Sequence, residues 1–231
     1  YLIKKPASSY AEAVRSLRTS LMLSGGDHPP RVLLLTSSLP GEGKTTLTLA
    51  LARLAAMAGE RVVVVDADLR RPRVHAALGV ENKAGLTEYL CGQLPLDKVI
   101  SQTDKEGKGV HYMTAGQPSS LATELVRSKA MKALLQTLSQ SYSMVIVDGP
   151  PVLPVADAKV LSTLVDKVVF VSTWRKTPRA MVQQALKQLR DVGAPLAGLV
   201  LNNINMKRHG DYSQGYSGYY AGKAYRRYYV E

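Results

Sequence analysis

Five short runs of β-branched residues and leucine recur along the chain, separated by stretches with helical spacing. They are Arg31–Thr36, Arg61–Asp66, Ser143–Asp148, Lys167–Ser172 and Leu196–Asn202. None alternates apolar with polar residues, so each reads as a strand buried on both faces. A weaker candidate is Gly109–Thr114, and helical patterns cover Lys44–Ala58, Ser128–Ser141 and Pro178–Val192. Strands alternating with helices require right-handed crossovers and give a mostly parallel sheet with helices on both sides, an α/β fold. In such sheets ligands lie beyond the carboxyl ends of the strands. Thr36, Asp66 and Asp148 stand at those ends, so polar chemistry is expected there.

The phosphate chemistry is written in "SSLPGEGKTT". Gly41 and Gly43 let backbone N–H groups close around phosphate oxygens where side chains would collide. Lys44 reaches the β- and γ-phosphates, Thr45 offers its hydroxyl to Mg²⁺, and the helix that follows points its positive end at the anion. Strand, loop, lysine and helix together predict a P-loop NTPase-like site made by Gly41, Glu42, Gly43, Lys44, Thr45 and Thr46. Ser38 takes the place where the common loop has its first glycine.

Two further strand ends bring carboxylates. Asp66 and Asp68, two apart in "VVVVDADLRRP", project from one face of an extended chain. They can hold a metal, one can accept a proton, or one, Asp68 foremost, can simply cap a turn. Asp148 in "MVIVDGPP" looks like the carboxylate that binds Mg²⁺ through water. Three carboxylates in one place are costly unless Lys44 and the metal offset their charge.

Composition limits the remaining possibilities. Of 231 residues, 45% are hydrophobic, with no apolar run long enough (about 18 residues) to cross a bilayer. A single cysteine, Cys91, cannot form an internal disulfide, and the four histidines lack metal-ligand spacing, so no zinc site is expected. The net charge of +12 suits an anionic partner, but no nucleic-acid-binding motif accompanies it and none is expected as a partner. The first residue is Tyr1 rather than methionine, which suggests a processed or excised piece.

The chain divides into three parts: 1–30, 31–205 and 206–231. In the first, Ser8–Leu23 forms a helical pattern with Ser8 or Ser9 as cap. It carries Glu12, Arg15 and Arg18 at spacings of three, which make either an internal ion pair on a solvated face or an interface. The last part holds seven tyrosines (Tyr212, Tyr216, Tyr219, Tyr220, Tyr225, Tyr228 and Tyr229), four glycines and almost no aliphatic residues. Such a segment cannot bury a core and is expected to be flexible. A tyrosine stripe on a helix is disfavoured by the glycines, each costing about 1 kcal/mol relative to alanine.

With these motifs on the page, the sequence resembles the bacterial tyrosine kinases, or BY-kinases, the cytoplasmic halves of Wzc-type polysaccharide co-polymerases. "SSLPGEGKTT", "VVVVDADLRRPRVH" and "YSMVIVDGPP" match the family's three nucleotide motifs, and "AEAVRSLRTSL" resembles its E-x-x-R-x-x-R oligomerisation helix. The related MinD/ParA ATPases carry a signature lysine early in the loop, where this chain has Leu39. The resemblance implies ATP-dependent tyrosine phosphorylation of the C-terminal cluster, in trans, with Mg²⁺, and regulation of exopolysaccharide or capsule export. It implies Lys44, Asp66, Asp68 and Asp148 as catalytic residues, Asp66 being the foremost base, and Thr45, Asp66 and Asp148 as metal ligands. Asn202, or its neighbour Asn203, would contact adenine. A ring-like homo-oligomer built through Glu12, Arg15 and Arg18 is expected. So are a transmembrane portion before Tyr1, a cognate tyrosine phosphatase and a place at the cytoplasmic face of the bacterial inner membrane. The alternatives are a MinD/ParA-type ATPase and a non-catalytic nucleotide-binding scaffold of the export machinery.

Overall fold

The computed structural model describes residues 2, 4–26, 28–103 and 109–205. The tyrosine cluster, with its expected flexibility, lies outside the described residues. In chain order the first elements are α1 (Ser9–Leu23), β1 (Val32–Ser37), α2 (Lys44–Met57), β2 (Val62–Asp66), α3 (Val74–Leu78), α4 (Leu86–Leu90) and α5 (Leu96–Val99). There follow β3 (Ser101–Gln102), β4 (His111–Met113), α6 (Ala122–Arg127), α7 (Lys129–Ser141), β5 (Met144–Asp148), α8 (Asp157–Ser162), β6 (Lys167–Thr173), α9 (Arg179–Asp191) and β7 (Leu196–Asn202).

The strands form one sheet in the order β3-β4-β2-β5-β1-β6-β7. Every neighbouring pair is parallel except β3 with β4. The carboxyl ends of β1, β2, β5, β6 and β7 therefore share one edge of the sheet, and that edge carries the phosphate loop and the aspartates. The apolar runs of β1, β2 and β5 are buried along their whole length, as their lack of alternation requires. Their side chains split between two cores. One face packs Leu34, Val63 and Val145 against α7, α8 and α9; the other packs Leu33, Leu35 and Ile146 against α2 and α1.

Capping follows the expected chemistry. Ser8 Oγ accepts from the Ala11 N–H at 3.3 Å to start α1, and Ser128 Oγ accepts from the Met131 N–H at 3.1 Å to start α7. Helix α2 differs: Gly43 precedes it with φ +89° and no side chain caps it, so its first N–H groups remain directed at the strand-end edge.

One expectation is corrected. Leu196–Asn202 is not buried on both faces, because β7 is the last strand of the sheet and leaves Leu199 and Leu201 46% and 43% exposed. The short β3 and the helices of four to six residues carry no periodic signal of their own and were not expected.

Candidate active site

The phosphate loop leaves β1 at Ser37 and turns into α2 at Lys44. Gly41 and Gly43 both adopt positive φ, +79° and +89°, the left-handed region that a side chain disfavours. At Gly43 an added Cβ would sit 2.0 Å from Asn202 Nδ2, so the position is closed to any larger residue. Lys44 is only 8% exposed and forms no ion pair among the described residues. An ammonium buried in that way is matched by an anion such as a triphosphate. Ser38 Oγ is likewise buried with no hydrogen-bond partner among the described residues. Gly41, Gly43 and Lys44 border a cavity of about 900 Å³ that also has Thr45, Thr46, Asp68 and Asp148 in its wall.

Helix and strands bring the carboxylates together. Thr45 Oγ1 donates to Asp148 Oδ2 at 2.6 Å, and Thr48 Oγ1 donates to Asp148 Oδ1 at 3.1 Å. Asp66 lies directly beside Asp148 in the pairing of β2 with β5. Burial pushes the Asp66 carboxyl up to about 7, with the Asp148 charge adding to it, against backbone hydrogen bonds from Val74, Arg73 and Asp68. Burial also pushes Asp148 up to about 6, while Thr45, Lys44 and Thr48 pull it back. Asp68 is raised by burial as well, with the Arg71 N–H opposing.

Asp66 and Asp68 nonetheless face different tasks. Asp66 is fully buried and accepts from the N–H groups of Val74 (2.9 Å), Arg73 (3.1 Å) and Asp68 (3.3 Å), which folds the turn into α3. The turn cap expected foremost of Asp68 falls more heavily on Asp66, with three backbone donors against one. Asp68 accepts from the Arg71 N–H at 2.9 Å and lines the cavity, which Asp66 does not. No group of three or more His, Cys, Asp and Glu side chains among the described residues could hold a metal ion by itself. Thr45 and Asp148 suit an ion that also takes phosphate oxygens, the usual arrangement for Mg²⁺.

Glu42 does not line the cavity. Its buried carboxylate accepts from the Leu39 N–H (2.7 Å) and the Thr173 N–H (3.2 Å), and from the Thr177 hydroxyl. It therefore ties the loop to the end of β6. Asn202 Nδ2 donates to the Glu42 carbonyl at 3.0 Å, which places Asn202 against the loop at the end of β7. The sequence reading found both residues but not this bracing role, which depends on strands β6 and β7 meeting the loop.

A second network was not foreseen at all. Arg70 Nε donates to Asp157 Oδ2 at 2.8 Å, and the Thr123 hydroxyl donates to Asp157 Oδ1. Asp157 is buried at the start of α8, so this network fastens the segment after β2 to α6 and α8. At the N-terminal helix, Arg15 pairs with Glu12 at 2.6 Å, and Arg18 pairs with Glu60 at the end of the α2 turn. Ala11, Val14 and Leu21 of α1 pack in the core shared with α2.

The family model described as an AAA domain matches residues 31–196. The tyrosine-protein kinase YwqD of Bacillus subtilis (strain 168) is 34% identical over 219 residues, covering 95% of this chain and 90% of YwqD. The chain belongs to the bacterial tyrosine-protein kinases. The tyrosine-protein kinase etk of Escherichia coli (strain K12) is 36% identical over 211 residues, and there the match spans only 29% of the relative's length. In three dimensions the kinase resembles the kinase domain of Escherichia coli ETK, with a TM-score of 0.82, 35% identity and coverage of 86% of this chain and 77% of that one. The septum site-determining protein MinD of Pyrococcus horikoshii, in complex with Mg-ADP, matches with a TM-score of 0.63 at 21% identity over 78% of this chain and 76% of MinD. That likeness is one of fold. The chain is thus a nucleotide-binding protein-tyrosine kinase with a P-loop. None of its described helices is long and apolar enough to cross a membrane.

Proposed function

We propose that this kinase transfers the γ-phosphoryl group of ATP to the tyrosines at its own C-terminus, Tyr212, Tyr216, Tyr219, Tyr220, Tyr225, Tyr228 and Tyr229. The reaction runs between neighbouring copies and regulates the synthesis or export of a polysaccharide at the cytoplasmic face of the inner membrane. The observation that carries the chemistry is the buried Lys44 standing by the Thr45–Asp148 hydrogen bond, at the mouth of a loop whose glycines expose its amides. The family resemblance supports the polysaccharide role, the membrane-spanning portion and the cognate phosphatase.

The residues fit a magnesium nucleotide. Thr45 and Asp148 would hold Mg²⁺, which supplies charge neutralisation on the phosphate oxygens. The loop amides and Lys44 bind and orient the triphosphate, and Asn202 or Asn203 would contact the base. In the transfer, the tyrosine oxygen forms a bond to the γ-phosphorus while the bond to the β,γ-bridging oxygen breaks, and ADP leaves with that electron pair. The phenolic proton passes to the Asp66/Asp68 pair. Asp68 offers access from the cavity, and Asp66 has the proton affinity that a base near neutral pH needs. Lys44 stabilises the charge that accumulates on the transferred group. Glu12, Arg15 and Arg18 would exchange their internal partners for those of a neighbour when copies assemble.

The test is direct. The purified chain is incubated with Mg-ATP and phosphate is located by mass spectrometry, with Lys44→Met as control. Phosphate on tyrosines 212–229 that disappears in the control supports the reading. Free phosphate with unmodified tyrosines would instead support a hydrolytic ATPase.

A further inference from the structure

The cavity that holds the phosphate loop extends past Asp68 to a wall carrying three arginines, Arg70, Arg71 and Arg73. Their electrostatic situations differ. Arg70 is neutralised by the buried Asp157 at 2.8 Å. The side chains of Arg71 and Arg73 are exposed and make no hydrogen bond or ion pair among the described residues. Their backbones, in contrast, are fixed: the Arg71 N–H donates to Asp68 at 2.9 Å and the Arg73 N–H to Asp66 at 3.1 Å. The main chain that carries these two guanidinium groups is therefore held by Asp68 and Asp66, while the groups themselves stay unpaired among the described residues.

They enter the cavity wall from the segment after β2, whereas the loop and Lys44 come from the connection of β1 to α2. The triphosphate has the loop amides and Lys44 on the α2 side, whereas in-line transfer brings the acceptor in opposite the departing ADP. Arginine in the wall shared with Asp68 suits an anion beside the acceptor, since its planar fork pairs with carboxylate or phosphate through two parallel hydrogen bonds. The acceptor segment 206–231 has few anions to offer: only Asp211 and Glu231 among its residues are acidic. A phosphotyrosine adds about −1.5 to −2 charges and three strong acceptor oxygens. The first phosphates thus create the ligand that the site lacks.

We propose that Arg71 and Arg73 form a subsite for an anionic residue next to the acceptor tyrosine, so that one phosphotyrosine recruits its neighbours for further phosphorylation. The inference rests on the autophosphorylation reading above and specifies its substrate class: tyrosine segments bearing a phosphotyrosine or, initially, a carboxylate. Modification then begins at the tyrosines flanked by an acid, Tyr212 beside Asp211 and Tyr229 two residues before Glu231, and spreads inward.

The test measures binding without turnover. Two fluorescein-labelled peptides copying residues 210–224, one unmodified and one with phosphotyrosine at position 219, are titrated with the full chain in Mg-ADP and followed by anisotropy. The phosphopeptide is expected to bind about tenfold more tightly, the scale of hydrogen bonds to charged groups. In Arg71→Ala/Arg73→Ala the preference falls below about twofold, whereas Arg71→Lys/Arg73→Lys retains part of it, because charge survives without the planar fork. Equal binding of the two peptides by the parent chain, or a preference that persists in the double alanine variant, would overturn the proposal. A double variant that loses ADP along with the peptide would also overturn it, by assigning the arginines to the nucleotide. Transfer of phosphate to the tail that proceeds with no peptide preference would sink this subsite alone, and the kinase reading would stand.

Discussion

Replacing Asp148 by asparagine should make the nucleotide-free protein more stable at pH 8 while removing its activity. The Asp148 carboxyl is buried and its pKa is raised from 3.8 to about 6. At about 1.4 kcal/mol per pH unit, holding it ionised in the folded state costs ~3 kcal/mol relative to the unfolded chain. The folded state binds the extra proton, so this cost is absent below about pH 4, grows as pH rises, and is complete above about pH 6. Asparagine removes the charge but accepts well from only one of the Thr45 and Thr48 hydroxyls, which gives back about 1 kcal/mol. The net gain of ~2 kcal/mol corresponds to a Tm rise of about 4–8 °C in a chain of this size. Thermal unfolding by circular dichroism, from pH 4 to pH 8, reads the difference directly. The gap between variant and parent should open with rising pH, and saturating Mg-ADP should narrow or reverse it, because the parent binds the ligand better. A variant that melts below its parent at pH 8, or a gap that does not change with pH, would refute the assignment of buried charge as the cause.

Other substitutions test the framework of the site. Gly43→Ala places a Cβ 2.0 Å from Asn202 Nδ2 at a φ of +89°, and is expected to cost about 1–3 kcal/mol and weaken ADP binding at least tenfold by calorimetry. Glu42→Ala leaves the Leu39 and Thr173 N–H groups without their acceptor, a loss of about 2–4 kcal/mol in denaturant unfolding, whereas Glu42→Gln should recover part of it. Arg70→Ala strands the buried Asp157 charge and should destabilise the kinase by about 1–3 kcal/mol. The double variant Arg70→Ala/Asp157→Asn should lose less than Arg70→Ala alone, which a double-mutant cycle measures.

The central strands β1, β2 and β5 were legible because their unbroken runs of valine and leucine fit burial on both faces. Asp66 and Asp148 could be placed from the chain for the same reason: each ends such a run. The limits lie where function depends on meetings between distant segments. Glu42 looked like a phosphate-loop residue, and only the arrival of Thr173 from β6, Thr177 from the turn after it and Asn202 from β7 turns it inward as a brace. The pairing of Arg70 with Asp157 joins positions 87 residues apart, with no local pattern in either to announce it. Leu196–Asn202 was misjudged as interior because apolar composition does not distinguish an edge strand from a central one. Spacing alone does not separate Asp66 from Asp68. The turn into α3 distinguishes them by consuming the oxygens of the first.

The last strand ends at the reaction centre, since Asn202 touches the loop that grips the donor. Tyr212 follows only ten residues later, a reach of at most ~33–36 Å even for a fully drawn-out chain. In the proposed reaction, acceptors leashed this closely would be supplied at an effective concentration on the order of millimolar, whether to their own pocket or to one abutting it in an assembly. A catalyst supplied in that way would have no need of tight substrate grip, and feeble, rapidly reversible contacts would suffice.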